Sequence, residues 1–535
     1  MEKRQEWWRG AVLYQVYPRS FLDSNADGVG DLKGVTQKMD YIASLGVEGI
    51  WLSPFFTSPM ADFGYDVSDY QNVDPLFGTL ADFDELLTAA HARGLKIIID
   101  LVMNHTSKQH PWFDDSRKRG DKADWYIWAD PKEDGTPPNN WMSVFGGSAW
   151  EYDTKRGQYY FHQFLKEQPD LNLRNPEVQD EMLRIMEWWM QRGVDGFRLD
   201  ALNHCIQDTQ LRDNPPRQDI DRSAASDRFT HPYAWQRHIY DKSQPEMIPF
   251  IKRIRTLSDK YPGRFLLAEV NDDDGNKTPV AYTDGPSMLH TAYSFALLTK
   301  EAGSAKNIRR VVENYFDVPG DSWPSWAFSN HDVVRVASRW AKNDGGNRQQ
   351  AKMLIALLTS LKGTAFLYQG EELGMTEADI PFERLQDPFG IFLWPEDKGR
   401  DGCRTPMPWD KEKTNAGFSV AAQTWLPLHA ETDVAAQESD KESPLSFTRD
   451  FLSWRKKQEL LITGDIKFLD ATEPLLIFTR EKNDEKILCC FNLDAKEVSC
   501  VLQEGCKPVE GQDLPHSVEN KRLTLPPFGG FFAKI

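Results

Sequence analysis

The N-terminal part of the chain repeats one pattern of hydrophobic and polar positions three times. An amphipathic helical stretch leads to a glycine, and a short apolar strand follows whose far end turns polar. The three strands are predicted at residues 47–54, 95–105 and 196–200. The first two helices carry Val35, Met39, Ile42 and Leu45, and then Phe83, Leu86, Leu87 and Ala90. Helix–strand units with apolar strands imply a parallel sheet covered by helices.

The third helix has the clearest ends. Asn175 suits the N-cap position, Pro176 suits the first helical position, and Gly193 suits the end of the helix.

Five further apolar runs complete a set of eight candidate strands. They lie at 11–18, 264–270, 289–298, 325–332 and 364–370. Eight strands of this kind fit an α/β fold, the (β/α)8 TIM barrel, whose chemistry lies at the C-terminal ends of the strands. His105, Asp200, Glu269 and Asp332 all fall at such ends.

The chain is predicted to consist of three parts. About 70 residues separate His105 from the helix at Pro176, which is too long for a simple loop. We therefore expect an inserted domain at 105–174 within a barrel formed by 1–104 and 175–460, with a polar insertion near 205–246. Short β runs after this point indicate a small all-β C-terminal domain at 461–535.

The amino-acid composition limits the kinds of molecule that the protein is expected to bind. The 535 residues include 63 basic and 81 acidic side chains, a net charge of -18, which opposes binding to nucleic acid or an anionic membrane. A neutral substrate fits better, and the 18 Trp and 30 Phe suit carbohydrate stacking, although most of them will be core. The oligomeric state is not readable from the sequence.

The cellular location is inferred from three absences. The six cysteines match no disulfide or zinc pattern. The charged N-terminus shows no signal peptide, and no run of about 18 apolar residues is present. A cytoplasmic location is therefore expected.

Arg198 and Asp200 lie two residues apart at the end of a predicted strand, so both side chains point to one face. A neighbouring guanidinium favours the ionised carboxylate and orients it, as a nucleophile or charge stabiliser requires. A purely structural ion pair is the alternative.

Glu269 ends an apolar strand, where a solvated charge has no reason to lie. An apolar setting across a cleft from Asp200 would raise its pKa and make it a general acid; a structural role is the alternative. Asp332, preceded by Asn330 and His331, supplies a third carboxylate. If the catalytic carboxyl groups are about 5–5.5 Å apart, the reaction would retain the configuration of the anomeric carbon. A wider separation would mean that the reaction inverts it.

In chain order these motifs resemble those of the α-amylase superfamily, glycoside hydrolase family 13, near the bacterial α-glucosidases and oligo-1,6-glucosidases. The resemblance covers nearly the whole chain and rests on Asp100-Leu-Val-Met-Asn-His105, Gln168-Pro-Asp-Leu-Asn172, Gly196-Phe-Arg-Leu-Asp200, Glu269 and Ser329-Asn-His-Asp332. It implies a retaining α-glucosidase with Asp200 as nucleophile, Glu269 as acid/base and Asp332 binding the sugar hydroxyls.

The same resemblance implies a set of residues around the non-reducing glucose, with Phe145 as a wall. They are Asp62, Tyr65, His105, Arg198, His331 and Arg400. Asp62 and Arg400 are expected to close the pocket and favour exo-action on short substrates. Asp62 as a surface turn residue and Arg400 as a loop ion pair are the alternatives.

Ala201 follows the nucleophile, where α-1,6-acting relatives typically have Val. The smaller side chain resembles that of α-1,4-preferring, sucrose-tolerant members, so we expect maltose and sucrose to be preferred over isomaltose. Asn271 is expected to narrow the acceptor side, in a direction the sequence leaves open.

A loop near the N-terminus alternates oxygen-bearing side chains around a glycine turn, which suits a hard cation. Its candidate ligands are Asp23, Asn25, Asp27, Asp31 and, by resemblance, the Val29 carbonyl. We expect a structural Ca²⁺ or Mg²⁺ rather than a catalytic one; a metal-free turn is the alternative. The loop is not an EF-hand because Gly34 occupies the twelfth position.

Four other functions remain to be separated from an α-glucosidase. An oligo-1,6-glucosidase would use the same mechanism on α-1,6-linked substrates such as isomaltose. A transglucosylase or sucrose isomerase uses the same intermediate with another acceptor. An endo-amylase would need an open cleft, and a non-catalytic transporter-associated chain would lack a working site.

Overall fold

The computed structural model describes residues 6–218, 232–272, 275–342 and 347–535. Residues 219–231 of the predicted polar insertion lie outside the described residues.

The predicted barrel is confirmed. Eight parallel strands close into a barrel in chain order, each pairing with the next and the eighth with the first. They are β1 (Val12–Val16), β2 (Gly49–Leu52), β3 (Lys96–Val102), β4 (Gly196–Asp200), β5 (Phe265–Glu269), β6 (Thr291–Tyr293), β7 (Pro324–Ala327) and β8 (Thr364–Tyr368). Because all eight run the same way, their carboxyl ends meet at one rim.

A helical layer surrounds the barrel. Its main helices are Leu32–Gln37, Met39–Ser44, Leu80–Ala92, Pro176–Arg192, Met247–Ser258, Lys277–Thr283, Ala305–Phe316, Arg348–Ser360 and Pro444–Arg455. Helix Pro176–Arg192 has the predicted ends: Asn175 accepts from the backbone N–H of Glu177, and Gly193 adopts φ 111°. In this left-handed region glycine costs least.

Several predicted elements are shorter than expected. Strand β6 spans only Thr291–Tyr293 of the predicted 289–298. The first helix is split at Lys38, whose φ of -102° and ψ of 14° interrupt the α conformation. Strand β7 ends at Ala327 rather than near Asp332, so His331 and Asp332 lie on the loop after it. The predicted position at the carboxyl rim is correct, but a loop supplies these side chains.

The core has two layers. Side chains inside the barrel include Leu13, Trp51, Ile98, Phe265 and Phe366, all essentially inaccessible to solvent. A larger cluster fills the space between strands and helices. The filled interior leaves the carboxyl rim as the place for a site.

Between β3 and the helix at Pro176 the chain forms a small lobe, called here the inserted lobe (residues 105–174). It contains helix Pro111–Arg117 and a three-stranded antiparallel sheet of Trp128–Ala129, Gln158–Phe161 and Trp150–Asp153.

The C-terminal part is all-β, as predicted. One sheet orders Asp465–Phe468, Leu475–Lys482, Glu485–Asn492, Gly530–Lys534 and Lys507–Pro508; a second orders Val498–Val501, Arg522–Leu525 and Ser517–Glu519. No helix among the described residues is both long and apolar enough to cross a membrane.

Candidate active site

A cavity of about 310 Å³ opens at the carboxyl rim, between the barrel and the inserted lobe. The structure brings together here all but one of the residues predicted to act on or bind the substrate. The lining includes Asp62, Tyr65, His105, Phe145, Arg198, Asp200, Ala201, Glu269, Asn271, Asp332 and Arg400. His331, the exception, lies fully buried behind this lining.

Arg198 connects three carboxyl groups at the base of the cavity. Its Nη1 lies 2.8 Å from Asp100 Oδ1 and also contacts Asp200 Oδ1, while its Nη2 lies 2.6 Å from Glu269 Oε1. One planar guanidinium therefore holds the carboxyl groups of β4 and β5 close together and fixes their orientation. Arg198 is more than the partner of Asp200 that the sequence suggested.

The two carboxyl groups of the predicted catalytic pair differ in proton affinity. Burial raises the pKa of Asp200, and although the Arg198 guanidinium opposes this, the pKa reaches about 6. Burial raises the pKa of Glu269 further, to about 8, again against the effect of Arg198. At neutral pH Asp200 is ionised and Glu269 keeps its proton, the division of labour that a nucleophile and a general acid need.

Asp332 is held in its ionised form. Its Oδ1 accepts from Arg404 Nη2 at 2.9 Å and from Arg400 Nη1 at 3.4 Å. Burial favours the neutral acid, but the guanidinium groups of Arg404 and Arg400 help to lower the pKa of Asp332 well below its usual value. Such a carboxylate can accept hydrogen bonds but cannot act as a general acid at neutral pH.

His331 orients the neighbouring aromatic wall. Its Nε2 lies 2.7 Å from the Tyr65 hydroxyl and its Nδ1 lies 2.7 Å from Gln15 Nε2, and the Tyr65 and His331 rings stack. Burial lowers the pKa of His331 to about 3, so the ring is neutral. It fixes Tyr65 against Arg198 rather than exchanging protons near pH 7.

Asp62 and Arg400 close one end of the cavity. Arg400 Nη2 donates to Asp62 Oδ1 at 2.9 Å, and Gln168 Nε2 donates to Asp62 Oδ2 at 3.2 Å. Asp62 is buried, so its interpretation as a surface turn residue is wrong. Gln168 Nε2 also lies 3.1 Å from Nε2 of His105, the first residue of the inserted lobe.

The mouth of the cavity is apolar. Apart from the buried Ala201, the apolar lining residues are half-buried and therefore nearer to solvent than most of the polar ones. They are Val144, Phe145, Phe164, Phe295, Val333 and Phe389. Phe145, from the inserted lobe, packs edge-on against Phe389 with ring centroids 5.9 Å apart and lies 5.2 Å from the Arg400 guanidinium carbon. Aromatic faces at this position suit a sugar ring or another apolar group.

Ala201 has an unusual backbone conformation. Its φ of 44° and ψ of 37° are left-handed, and its N–H donates to Glu269 Oε2 at 2.8 Å. The residue after the predicted nucleophile thus also holds the predicted acid. Asn271 is exposed at the rim, with its backbone carbonyl accepting from Asn203 Nδ2 at 2.9 Å.

Several contributors escaped sequence reasoning. Asp100 and Gln168 lie within motifs that the sequence displayed, and Arg404 lies outside them. Nothing in the pattern showed that these three residues touch Arg198, Asp62 and Asp332, respectively. Phe164, Phe295 and Phe389 carry no local signal that separates a cavity aromatic from a core aromatic. Asp387 was missed entirely, although its position before Pro388 is typical of a helix N-cap.

The predicted cation loop is closed by its own hydrogen bonds. Asp23 Oδ1 accepts from the N–H of Ala26 at 2.7 Å and its Oδ2 from that of Gly28 at 2.8 Å. Asp27 accepts from Val29 N–H, and Asp31 accepts from Ser24. The donor set has hard-cation chemistry, but no group of three or more His, Cys, Asp or Glu side chains within the described ranges is placed to hold a metal. The cation stays a prediction.

The barrel, the inserted lobe and three carboxyl groups at the rim define a glycoside hydrolase. The model of the alpha-amylase catalytic domain matches residues 15–464, and that of the maltogenic amylase C-terminal domain matches residues 466–532. The chain therefore belongs to the alpha-amylase family.

Two named relatives and one crystal structure match this chain over nearly its full length. The chain is 48% identical to a probable alpha-glucosidase of Rhizobium meliloti, over 100% of this chain and 98% of that protein. It is 37% identical to an oligo-1,6-glucosidase of Heyndrickxia coagulans, over 92% of this chain and 93% of that one. The crystal structure of an alpha-glucosyl transfer enzyme, XgtA, matches with a TM-score of 0.95 and 50% identity, covering 99% of both chains.

Proposed function

We propose that this protein is a retaining, exo-acting α-glucosidase that releases α-glucose from the non-reducing end of short α-glucosides. The observation that carries the proposal is the Arg198 guanidinium, which contacts both Asp200 and Glu269. Contact with the same guanidinium keeps the two carboxyl groups near each other, which favours the close spacing of a retaining enzyme over the wider gap that an inverting enzyme needs for its water.

In the proposed mechanism Asp200 attacks the anomeric carbon and Glu269 protonates the departing glycosidic oxygen. A covalent β-glucosyl–Asp200 ester results. Glu269, now ionised, takes a proton from the incoming water, and the ester is cleaved to α-glucose. Asp332 accepts hydrogen bonds from sugar hydroxyls, which its ion pairs with Arg404 and Arg400 prepare it to do.

Exo-action is supported by the closed end of the cavity. The Asp62–Arg400 ion pair closes this end, and in the proposed binding mode a longer glucan would have to continue through it beyond the terminal glucose. An endo-amylase needs this path open. We expect maltose and sucrose to be cleaved faster than isomaltose because Ala201 leaves the acceptor side wide, and soluble starch to be a poor substrate.

Glucosyl transfer to a second acceptor is the second candidate, and the apolar mouth favours it. Phe145, Phe295 and Phe389 exclude water from the acceptor side and can hold an incoming sugar or alcohol. The same ester would then pass to an acceptor hydroxyl, or back to another hydroxyl of fructose in sucrose isomerisation.

The test is a proton NMR time course of wild type and Asp200→Asn with maltose. α-Glucose as the first anomer from wild type, and loss of at least about 10⁴-fold in rate in the variant, would support the proposal. β-Glucose as the first anomer would establish inversion. No turnover of maltose, isomaltose or sucrose would instead favour a non-catalytic chain. Products at high maltose or sucrose concentration separate hydrolysis from transfer and isomerisation.

We also propose that the Asp23–Asp31 loop takes up one structural Ca²⁺ or Mg²⁺. Its carboxylates and the Asn25 amide oxygen supply hard donors, but they would have to exchange hydrogen bonds within the loop to converge on the ion. Elemental analysis of purified protein and melting with and without chelator test this. An absence of bound metal together with an unchanged melting temperature would disprove it. A cytoplasmic location stays a prediction of the sequence.

A further inference from the structure

Asp387 is a fully buried carboxylate just outside the cavity. Its Oδ1 lies 2.7 Å from Arg400 Nη2, and its Oδ2 lies 3.0 Å from Arg400 Nε and 2.7 Å from the backbone N–H of Arg400. This two-pronged ion pair fixes both the side chain and the backbone of Arg400. Burial favours the neutral acid, but Arg400 outweighs it and lowers the pKa of Asp387, so the carboxylate stays charged.

The Asp387 carboxylate also contacts the segment that carries Phe389, one of the apolar residues at the mouth of the cavity. Asp387 is the N-cap of the short helix Pro388–Leu393, and its Oδ1 accepts from the N–H of Phe389 at 3.2 Å. Phe389 lines the cavity and packs on Phe145. One side chain therefore contacts the residue that closes the glucose end and the residue that forms the mouth.

The surroundings give Asp387 no room to move. Its backbone N–H donates to Asp401 Oδ2 at 2.9 Å. A β-carbon on Gly399, which has φ 70°, would lie 2.6 Å from Asp387 Oδ2, and one on Gly390 would lie 2.3 Å from the Lys398 carbonyl oxygen. The segment 387–401 is thus a tightly closed loop around the ion pair.

We propose that Asp387 is a positioning residue that holds Arg400 at the glucose site and Phe389 at the acceptor side, and so sets both turnover and the partition between hydrolysis and transfer. This proposal rests on the proposed function, because it assumes that Arg400 faces the bound glucose. Asp387 touches no substrate and acts through its two neighbours.

Two substitutions separate its two contacts. Asp387→Asn retains an oxygen that can cap the helix but loses the charge that pairs with Arg400. Asp387→Ala loses both. We expect Asp387→Asn to lower kcat/KM for maltose by about 10- to 100-fold, the effect of misplacing a substrate-positioning group. Its transfer-to-hydrolysis ratio should stay within about 2-fold of wild type because the cap on Phe389 remains.

Asp387→Ala should lower kcat/KM similarly and also reduce the transfer-to-hydrolysis ratio by about 3-fold or more, because a displaced Phe389 admits water. Asp379→Asn is the matched control: this exposed carboxylate pairs with Lys398 in the same loop and should leave both quantities unchanged.

A double-mutant cycle gives the deciding measurement. If Asp387 acts on turnover through Arg400, Asp387→Asn in an Arg400→Met background lowers kcat/KM by less than about 2-fold further. If the two substitutions instead lower kcat/KM independently, so that their fold-changes multiply, the proposal is overturned. A transfer-to-hydrolysis ratio equal to that of wild type in a folded Asp387→Ala variant would also overturn it. If Asp387→Ala does not fold, the double-mutant cycle with Asp387→Asn still tests whether Asp387 acts on turnover through Arg400. An inactive wild-type enzyme would defeat the proposed function itself, which distinguishes that failure from this one.

Discussion

Arg198 Nη2 lies 2.6 Å from Glu269 Oε1. The predicted general acid therefore contacts a guanidinium that also pairs with the carboxyl groups of Asp100 and Asp200. A cation this close favours the ionised acid, yet burial prevails and Glu269 keeps its proton at neutral pH. Burial raises and Arg198 lowers the pKa of both carboxyl groups, and Glu269 is left with the higher pKa of the two.

The first prediction concerns pH. Activity should rise as pH increases through about 6, where Asp200 loses its proton, and fall above about 8, where Glu269 loses its own. The profile of kcat/KM should be bell-shaped, with limbs that belong to the coupled pair. In Glu269→Gln, assayed with α-glucosyl fluoride, which needs no acid for its leaving group, the alkaline limb should vanish. An unchanged alkaline limb would assign it to another group.

The second prediction concerns Arg198→Lys. Lysine keeps the charge but cannot contact Asp100, Asp200 and Glu269 at once, so kcat should fall by roughly 10²-fold to 10³-fold. The acid limb should move to higher pH because a single ammonium that pairs with Asp100 or Glu269 lies farther from Asp200 than the guanidinium does. Steady-state kinetics across pH would check both effects. Arg192→Lys, which alters a partly exposed pair with Asp84 far from the rim, is the control and should behave as wild type.

The third prediction concerns linkage choice at Ala201. Ala201→Val should raise the isomaltose-to-maltose ratio of kcat/KM, since it introduces the residue typical of α-1,6-acting relatives. It should also destabilise the fold by about 1–2 kcal/mol, because a β-branched residue is strained at φ 44°. Kinetics on both disaccharides and a melting curve measure the two effects. A strong wild-type preference for isomaltose would contradict the specificity prediction.

The fourth prediction concerns the mouth of the cavity. Phe389→Ala should increase hydrolysis relative to transfer by about 3-fold or more, because the acceptor side becomes wetter. Phe392→Ala is the control: this ring belongs to the same helix but is 62% exposed and does not line the cavity. Product ratios at high maltose concentration would show the effect, and equal ratios in the two variants would exclude a role for Phe389.

Much of the fold was predictable because its signals are local. Apolar runs of strand length, helix caps such as Asn175 and glycine stops such as Gly193 reflect backbone preferences acting within a few residues. The seventh strand was predicted too long because Phe328 extends the apolar run, whereas the strand ends at Ala327. The kink at Lys38 likewise left the spacing of apolar positions intact and was invisible to it.

The sequence itself determined three features: the carboxyl groups at strand ends, the resemblance of their motifs, and the closed fold. Each depends on residue type and short-range spacing. The tertiary structure alone decided that Arg198 reaches Glu269, that Arg404 and Arg400 converge on Asp332, and that Asp387 supports Arg400. Those contacts join residues far apart in the chain, and the pKa values that follow from them depend on burial. Burial is a property of the packed molecule, which no local pattern contains.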